Sequence, residues 1–261
     1  MPPIIENNLE AITLSIYIPC FNEENEITNV LNNIKEGIQN INYEVLITDD
    51  ASTDKTLESI EKFKKNNPNI NIKIFSNEIN KGIGFNFWET ANKAQGKYYM
   101  IIHGDDPIPS IEIKKLVSNI SKADMVLAYF KHDNRKFTRR LVSKSFVTVI
   151  NLISSNNIKY YNSDNIYLLE NVKSFISLNK GGAGFAYQAE LITYLRRQNK
   201  TYIEVEVDLP FETPKDRSEV SQGIKLHNLI SVAGGVISIF LKQIIYILKK
   251  LLFWKKRDKN F

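Results

Sequence analysis

The stretch Tyr98-Tyr-Met-Ile-Ile-His-Gly-Asp-Asp-Pro107 joins an apolar run to two acids and a proline. An apolar run that stops at carboxylates is typical of a buried parallel strand whose carboxyl end reaches the edge of a sheet. Two adjacent carboxylates there are costly unless they bind a cation or stay in water. We therefore interpret Asp105 as a ligand of a divalent metal facing a diphosphate, with Asp106 as a candidate second ligand. The alternative is a plain turn, because Gly-Asp-Asp-Pro is also good turn chemistry.

The rest of the first half repeats this pattern of an apolar strand followed by a helix. Strands are predicted at 13–19, 43–48, 70–75 and 98–102, with a fifth at 124–128. We expect the first helix to open at Asn22 and run to Gly37, and Asp54 to cap the second. Strands alternating with helices predict an α/β fold with a mostly parallel sheet. Right-handed crossovers put the strand carboxyl ends on one edge, so the strand tips should share one crevice.

The predicted tips carry polar residues suited to a nucleotide diphosphate. Carboxylates accept hydrogen bonds from a base and ribose, a metal neutralises phosphate, and a lysine beside glycines approaches the phosphates. Neither a dinucleotide-binding glycine motif nor a Walker motif is present, which disfavours those two classes. For any one tip, turn and cap chemistry is the alternative. The tips are Pro19 to Glu23, Asp49-Asp50, Lys81-Gly82 and Asp105-Asp106.

Composition separates a neutral body from a basic tail. The 261 residues carry a net charge of +5, yet residues 225–261 hold eight Lys/Arg and one acid, so residues 1–224 sum to −2. A nucleic-acid-binding body would need its own basic face, which disfavours nucleic acid as a partner. One cysteine, Cys20, fits a reducing compartment, and the N-terminus shows no signal-peptide pattern. We predict a catalytic domain at 1–224 and an appended tail at 225–261.

Three segments together carry a family resemblance: Ser15 to Glu24, Tyr43 to Thr56 and Asn80 to Gly84. They resemble the family 2 glycosyltransferases, which have the Rossmann-like GT-A fold, over roughly residues 13–125. The resemblance implies that residues of the first two tips hold the nucleotide-sugar. We add residues of the other two tips, namely the Lys81 loop and the neighbours of Asp105. The predicted binding residues are Pro19, Phe21, Asn22, Glu23, Asp50, Lys81, Gly82, Gly104 and Asp106.

The family's Asp-x-Asp metal motif falls on His103-Gly104-Asp105, which resembles a His-Gly-Asp variant of that motif. The glutamine usual two residues further on is replaced by Pro107. Neutral imidazole can bind Mn²⁺ but adds no negative charge, and Mg²⁺ prefers oxygen. We predict a Mg²⁺ or Mn²⁺ site at Asp105, His103 and Asp106. Whether His103 is a ligand or a hydrogen-bonding neighbour stays open.

The second half resembles the polyprenyl-phosphate branch of the family through Gly184-Phe-Ala-Tyr-Gln-Ala-Glu-Leu191 and the Tyr202 strand. Hydroxyl-transferring relatives carry a Glu-Asp pair where this chain has Gln188-Ala189. A phosphomonoester needs no general base, because its second pKa is about 6 and it is already an anion. It does need cations, and arginine suits phosphate best. The resemblance places Arg217 where the branch has a loop arginine. The predicted catalytic set is Asp105, Gln188, Arg135, Arg139 and Arg217, with these arginines preferred over Lys131 and with Arg140 as a further candidate; a solvated basic loop is the alternative.

The tail pattern predicts an amphipathic, membrane-associated helix. Apolar residues recur at helical spacing from Ile237 to Leu252, with lysines opposite. A spanning helix needs about twenty uninterrupted apolar residues, and Lys242-Gln243 interrupts the candidate from Leu229 to Leu248. We therefore expect an interfacial helix on an anionic membrane surface. Packing on the domain or on a partner subunit is the alternative.

Together these features predict a metal-dependent, inverting enzyme at the cytoplasmic face of a membrane. It would move a sugar from a UDP- or GDP-linked donor to a polyprenyl phosphate. A second hypothesis is transfer to a glycan or lipid hydroxyl, with Glu190 or Asp106 as general base. A third is a catalytically degenerate nucleotide-sugar-binding scaffold, because His103 replaces an acid.

Overall fold

The structure is a computed structural model that describes residues 11–105, 108–131, 137–178, 184–208 and 226–257, with the backbone alone at 138–139, 226–229 and 251–257. The strands are β1 (Leu14–Cys20), β2 (Tyr43–Asp49), β3 (Asn71–Ser76), β4 (Tyr98–Ile101), β5 (Met125–Phe130), β6 (Ile166–Leu168) and β7 (Tyr202–Val207). The helices are α1 (Ile27–Gly37), α2 (Thr56–Asn66), α3 (Ile83–Lys93), α4 (Ser110–Val117), α5 (Phe137–Ser154), α6 (Leu169–Leu178), α7 (Tyr187–Arg197) and α8 (Leu226–Arg257).

The strands form one seven-stranded sheet in the order β3-β2-β1-β4-β6-β5-β7. All neighbours pair in parallel except β6, which runs antiparallel to β4 and β5. The chain builds outward from β1 to β3 and then returns to place β4 on the other side of β1. Such a reversal opens a crevice at the carboxyl ends of the two strands where the direction changes. The predicted α/β fold with a mostly parallel sheet is confirmed.

Helices cover both faces of the sheet, which is why β1 and β4 are apolar at nearly every position. One face is aliphatic, whereas the other is built from aromatic rings. Tyr17 and Tyr99 stack with ring centroids 6.1 Å apart, and Phe87 of α3 meets Tyr99 edge-on at 5.1 Å. The Tyr99 hydroxyl donates to the Phe87 carbonyl oxygen at 3.0 Å, so its polar end is satisfied inside the core. These contacts fix α3 on the sheet.

A buried carboxylate lies toward the amino-terminal edge of the sheet. Glu44 is fully buried and accepts hydrogen bonds from the Ser15 hydroxyl at 2.6 Å, the Gln95 backbone N–H at 2.7 Å and the Lys73 amine at 2.8 Å. Burial alone would raise the pKa of Glu44, but the hydrogen bonds and the positive charge of Lys73 outweigh it and leave that pKa below its ordinary value. The network is structural, because it lies away from the crevice.

Both predicted helix starts come too early, the first by about a turn and the second by a single residue. Helix α1 begins at Ile27 rather than Asn22, and Asn22 itself has a positive φ of 60°. Helix α2 begins at Thr56 with Lys55 in the cap position, while the Asp54 carboxylate accepts from the Thr56 N–H at 3.0 Å. Asn22 is instead used in bonds between the two loops, whereas Asp54 accepts both at the start of α2 and from the Glu24 N–H of the other loop at 3.2 Å.

The predicted tail helices form one continuous 32-residue helix, α8. Its segment Ile230–Lys250 is long and apolar enough to cross a membrane by length and composition, although Lys242 lies within it. One face of α8 packs on the domain: Ile239 is buried, and Gly235 lies so close to Ala186 that a side chain there would overlap it. The predicted alternative of packing on the domain is therefore part of the observed arrangement.

Candidate functional site

The loops that follow β1 and β2 are bonded to each other. The Asn22 side-chain oxygen accepts from the Thr53 backbone N–H at 2.8 Å, and the Asn22 N–H donates to the Ser52 hydroxyl at 2.9 Å. The Glu23 N–H donates to the Thr56 hydroxyl at 2.7 Å. Asn22 and Glu23, both predicted to hold the nucleotide, thus fix the shape of this double loop.

The apolar members of the first tip take different places. Pro19 lies within β1, paired with Thr48 of β2, whereas the Phe21 side chain is 47% exposed beside the loops. An exposed ring at the carboxyl edge of a sheet offers an apolar surface to a ligand in the crevice. Of the two, Phe21 therefore offers a ligand the larger contact surface.

Asp50 organises the loop that precedes α3. Its carboxylate accepts from the Asn77 amide at 2.8 Å and from the backbone N–H groups of Lys81 and Gly82, each at 2.9 Å. Burial alone would raise the pKa of Asp50, but hydrogen bonds from the Lys81 N–H, the Asn86 and Asn77 side chains and the Gly82 N–H outweigh it and lower the pKa. Gly82 has φ of 84°, a conformation that favours glycine. Asp50 therefore holds Lys81 and Gly82 in place.

Asp49 differs from Asp50 in having an unused buried oxygen. Its Oδ2 receives a long hydrogen bond of 3.4 Å from the Ser52 N–H, while its buried Oδ1 has no partner among the described residues. An unpaired buried carboxylate oxygen is unfavourable unless a ligand satisfies it. The sequence predicted Asp50 as the nucleotide-binding acid. The structure adds Asp49, whose Oδ1 atom can still accept a hydrogen bond.

The metal-motif histidine is held by an acid that sequence reasoning missed. The His103 Nδ1 atom lies 3.0 Å from Oδ1 of Asp164, and the same oxygen accepts from the His103 backbone N–H at 3.2 Å. Asp164 is buried, and it comes from the segment just before β6. No local pattern marks this acid, because 61 residues separate the two partners.

Gly104 brings the metal motif against the end of β1. A side chain at Gly104 would begin 2.6 Å from the Pro19 carbonyl oxygen and 3.2 Å from the Cys20 sulfur, so only glycine fits there. The pKa of the buried Cys20 thiol is raised well above its ordinary value, first by burial and then by the nearby Glu23, Asp49 and Asp105 carboxylates. Three of the predicted tips thus converge around Cys20.

The predicted metal ligands lie where these tips meet near Cys20, and the structure describes two of the three. His103 is partly buried and Asp105 is exposed to solvent, whereas Asp106 lies outside the described residues. Within the described ranges no group of three or more His, Cys, Asp or Glu residues is gathered to hold a metal. One imidazole and one carboxylate fit a Mg²⁺ or Mn²⁺ site that a nucleotide diphosphate and water complete.

Gln188, predicted to be catalytic, is fully buried and supports Asp164. Its amide oxygen accepts from the Asn165 side chain and the Tyr167 hydroxyl, each at 2.7 Å, and its nitrogen donates to the Ser163 carbonyl oxygen at 3.1 Å. Ser163 and Asn165 flank Asp164, so Gln188 fixes the acid that holds His103. In this structure Gln188 positions other residues and has no surface that reaches a substrate.

The predicted phosphate-binding cations fall mostly outside the described part of the chain. Arg135 and Arg217 lie outside it, and Arg139 is described only as a backbone position of α5. Of the two basic residues that were not preferred, Lys131 is exposed at the end of β5 and Arg140 is half-buried on α5. The arginine assignments stay predictions.

The chain is similar to known sugar transferases. Residues 15–196 match the family model described as Glycosyl transferase family 2. A Methanococcus voltae dolichyl N-acetyl-alpha-D-glucosaminyl phosphate 3-beta-D-2,3-diacetamido-2,3-dideoxy-beta-D-glucuronosyltransferase is 43% identical over 34% of this chain and 27% of its own length. The dolichol-phosphate mannosyltransferase of Pyrococcus furiosus is 26% identical over 52% of this chain and 40% of its own. The chain therefore spans only 27% and 40% of the lengths of these two relatives.

Solved structures share the fold. Glucosyl-3-phosphoglycerate synthase from Mycobacterium tuberculosis, in complex with Mn²⁺, UDP and phosphoglyceric acid, superposes with a TM-score of 0.63 at 15% identity, covering 89% of this chain and 78% of that one. The same synthase has been solved with Mg²⁺ and UDP. Because the family match covers more than half of the chain, this protein belongs to glycosyl transferase family 2.

Proposed function

We propose that this protein moves a sugar from a UDP- or GDP-linked donor to a polyprenyl phosphate at a membrane surface, with inversion. The proposal rests on one observation: α8 packs against the start of α7, the helix whose Gln188 supports the predicted site. Gly235 packs on Ala186, two residues before Gln188, which fixes Asp164 and so His103. An apolar helix next to the catalytic edge suits an acceptor that is itself embedded in lipid.

The donor fits the edge formed by β1, β2 and β4. The unused Asp49 oxygen can accept from a ring N–H of uracil or guanine, and Phe21 can stack on the base. Lys81 lies exposed at the start of α3, where a cation and a helix amino terminus both favour phosphate. These contacts would place the diphosphate near His103 and Asp105.

A divalent metal would be held by Asp105 and by the His103 nitrogen that does not face Asp164, together with diphosphate oxygens. When bound, such an ion stabilises the negative charge that develops on the leaving diphosphate. Because the chain offers few ligands of its own, we expect metal binding to depend on the nucleotide. The structural neighbour glucosyl-3-phosphoglycerate synthase holds UDP with Mn²⁺ in one structure and with Mg²⁺ in another, which supports this choice of metals.

The acceptor's own charge removes the need for a general base. An oxygen of the lipid phosphate forms a bond to the anomeric carbon while the bond to the donor diphosphate breaks, and the bonding electron pair leaves with the diphosphate. Glu190, one of the two candidate bases for transfer to a hydroxyl, is buried and lies 3.5 Å from the Lys242 amine, whereas the other, Asp106, lies outside the described residues. The ion pair between Glu190 and Lys242 joins α7 to α8, so Glu190 is poorly placed to act as a general base. This favours the phosphate acceptor, which needs no base.

The packing of α8 also favours an interfacial helix over a spanning one. Positions from Ser231 to Gln243 contact the domain: the Ser231 hydroxyl accepts from the Phe185 N–H at 3.3 Å, and the Gln243 side chain accepts from Arg197 at 2.7 Å. A helix that crosses a bilayer could not keep this length of contact with a domain in water. Its exposed stripe, opposite that face, would instead lie in the membrane surface on the cytoplasmic side.

A screen of nucleotide-sugars against a short-chain polyprenyl phosphate, read as labelled sugar in the lipid fraction, tests the proposal. We expect transfer that requires Mn²⁺ or Mg²⁺ and falls at least a hundredfold, on the order expected when a charge-stabilising group is lost, in Asp105→Ala. Circular dichroism should show that this variant is folded. Metal-dependent transfer by Asp105→Ala at the native rate would overturn the assignment.

Two other functions make different predictions in the same assays. Transfer to a hydroxyl through a general base would show a pH–rate profile with a limb near neutrality, which a phosphate acceptor does not require. A degenerate scaffold would bind UDP or GDP without dependence on Mn²⁺ and would transfer no sugar.

A further inference from the structure

Helix α5 has an exposed apolar stripe that the proposed reaction does not use. Five apolar side chains at helical spacing are exposed: Phe137, Leu141, Val142, Val149 and Leu152. Leu152, at 76% exposure, is the most open of them. The other face of α5 is packed on the domain, because Phe146, Val147, Ile150 and Ile153 contact the aromatic core. A core helix needs no second apolar face, so this stripe calls for a partner.

We propose that α5 is a second membrane-binding helix and that its exposed stripe enters the same bilayer surface as α8. The two helices pack directly against each other. α8 exposes its own stripe on the side away from the domain, at Ile230, Ile237, Phe240, Leu241, Ile244, Ile245, Ile247 and Leu248. Apolar side chains on two adjoining helices make a footprint wider than a single helix can offer. The inference extends the proposed α8 contact but does not depend on which sugar or acceptor is used.

Charge identifies the partner as an anionic bilayer. Helix α5 carries three basic residues and no acid, and α8 carries six basic residues and no acid; one of the six, Lys242, pairs with Glu190 of the domain, which leaves five others on α8. Since the whole chain has a net charge of +5, the remainder carries −4. A second copy of this chain would bring like charges together at this face. An anionic lipid surface attracts them, at about 1 kcal/mol for each lysine or arginine near the surface.

Lipid contact can be measured with a fluorescent probe on single cysteines, because the one native cysteine, Cys20, is buried and can be changed to alanine. Cysteines would be placed at Leu152 on α5, at Ile237 on α8 and at Lys62 on the far helix α2, then labelled with an environment-sensitive dye. Vesicles of phosphatidylcholine with phosphatidylglycerol, carrying a lipid-bound quencher, provide the membrane. We expect quenching at 152 and 237 and none at 62.

Each other outcome has one meaning. Quenching at 237 with a water-exposed probe at 152 would overturn the role of α5 while leaving α8 as the anchor. A blue shift at 152 that needs no vesicles and grows with protein concentration would identify a second copy as the partner, again overturning the inference. Sugar transfer to a detergent-dispersed acceptor, measured on the same variants, reports on the proposed reaction separately.

A binding measurement provides a second, independent test. Leu152→Glu should weaken sedimentation with the same vesicles by about tenfold or more, because one buried leucine side chain contributes that much to partitioning. The matched control is Ile111→Glu on α4, where the native side chain is 66% exposed but lies on neither helix. It should bind vesicles like the native protein, and equal binding by both variants would contradict the inference.

Discussion

Asp164 holds His103 at two points, through the ring Nδ1 at 3.0 Å and through the backbone N–H at 3.2 Å. A carboxylate so placed directs the ring proton to Nδ1, so that Nε2 is the ring nitrogen that carries the lone pair. The predicted metal motif has a histidine where the family has an acid, and the fold places the Asp164 carboxylate behind that histidine. A negative charge thus lies next to His103, although it comes from a distant part of the chain.

Replacing this acid should weaken metal binding without unfolding the protein. In Asp164→Asn the ring loses its charged partner, and outer-shell partners of this kind are typically worth about 10–100-fold in metal affinity. Electron paramagnetic resonance of Mn²⁺ titrated into the UDP complex measures the change directly. Asp124→Asn, which removes a carboxylate bonded to Thr201 away from the site, is the matched control. An unchanged Mn²⁺ affinity in Asp164→Asn would show that His103 does not serve the metal.

Asp49 should contribute to nucleotide affinity and not to stability. Its Oδ1 has no partner to lose among the described residues, whereas a ligand N–H would gain one. We expect Asp49→Ala to weaken UDP binding by about 10–100-fold, corresponding to one charge-assisted hydrogen bond, with the midpoint of urea unfolding little changed. Calorimetric titration of UDP measures this. Asp50→Ala should behave differently and loosen the loop at Lys81, which is seen as a lower unfolding midpoint.

Glu44 should make folding stability depend on pH. Its pKa is lowered in the folded protein, so its stabilising contribution is present above the unfolded pKa of about 4.3 and is lost as pH falls through the folded value. Glu44→Gln should lower the unfolding free energy at pH 7 by about 1–3 kcal/mol, because buried partners lose a charged acceptor. Urea unfolding at several pH values should give a flatter acid limb for the variant. A parallel acid limb would show that other groups control it.

Two adjacent glycines of α8 provide a matched pair. A side chain at Gly235 meets Ala186, whereas one at Gly234 meets nothing within 4 Å. Gly235→Val should push α8 off α7 and raise hydrogen exchange at Phe185 and Gln188, with transfer to lipid reduced. Gly234→Val should leave both unchanged. Equal behaviour of the two variants would mean that α8 is not seated as described.

The alternation of apolar strands and amphipathic helices was enough to predict the parallel part of the sheet. Each βαβ unit is encoded locally, and the handedness of crossovers then puts the strand tips on one edge. The same logic placed His103, Asp105 and the first loop together correctly. Gly104, which seats the motif on Pro19, was also within the predicted set.

What local patterns could not supply are the contacts that join distant parts of the chain. The antiparallel β6 is only three residues long and brings Asp164 to His103 across 61 residues. Gln188 was predicted from its place in a motif, but its burial depends on three partners from the segment before and within β6. The helix starts failed for a related reason, since Asn22 bonds to a loop 30 residues away.

The contact of Gly235 with Ala186 has a consequence for acceptor choice. Under the proposed function, in which α8 lies on a membrane surface, its close packing on α7 would fix the height of the predicted site above that surface. The distance from the bilayer to the anomeric carbon of the donor sugar would then be fixed, and it would limit which acceptors can reach that carbon. An acceptor whose reactive oxygen sits directly at the lipid would be in reach, whereas one displayed on a long headgroup would pass beyond it. We therefore expect selection by length as well as by charge.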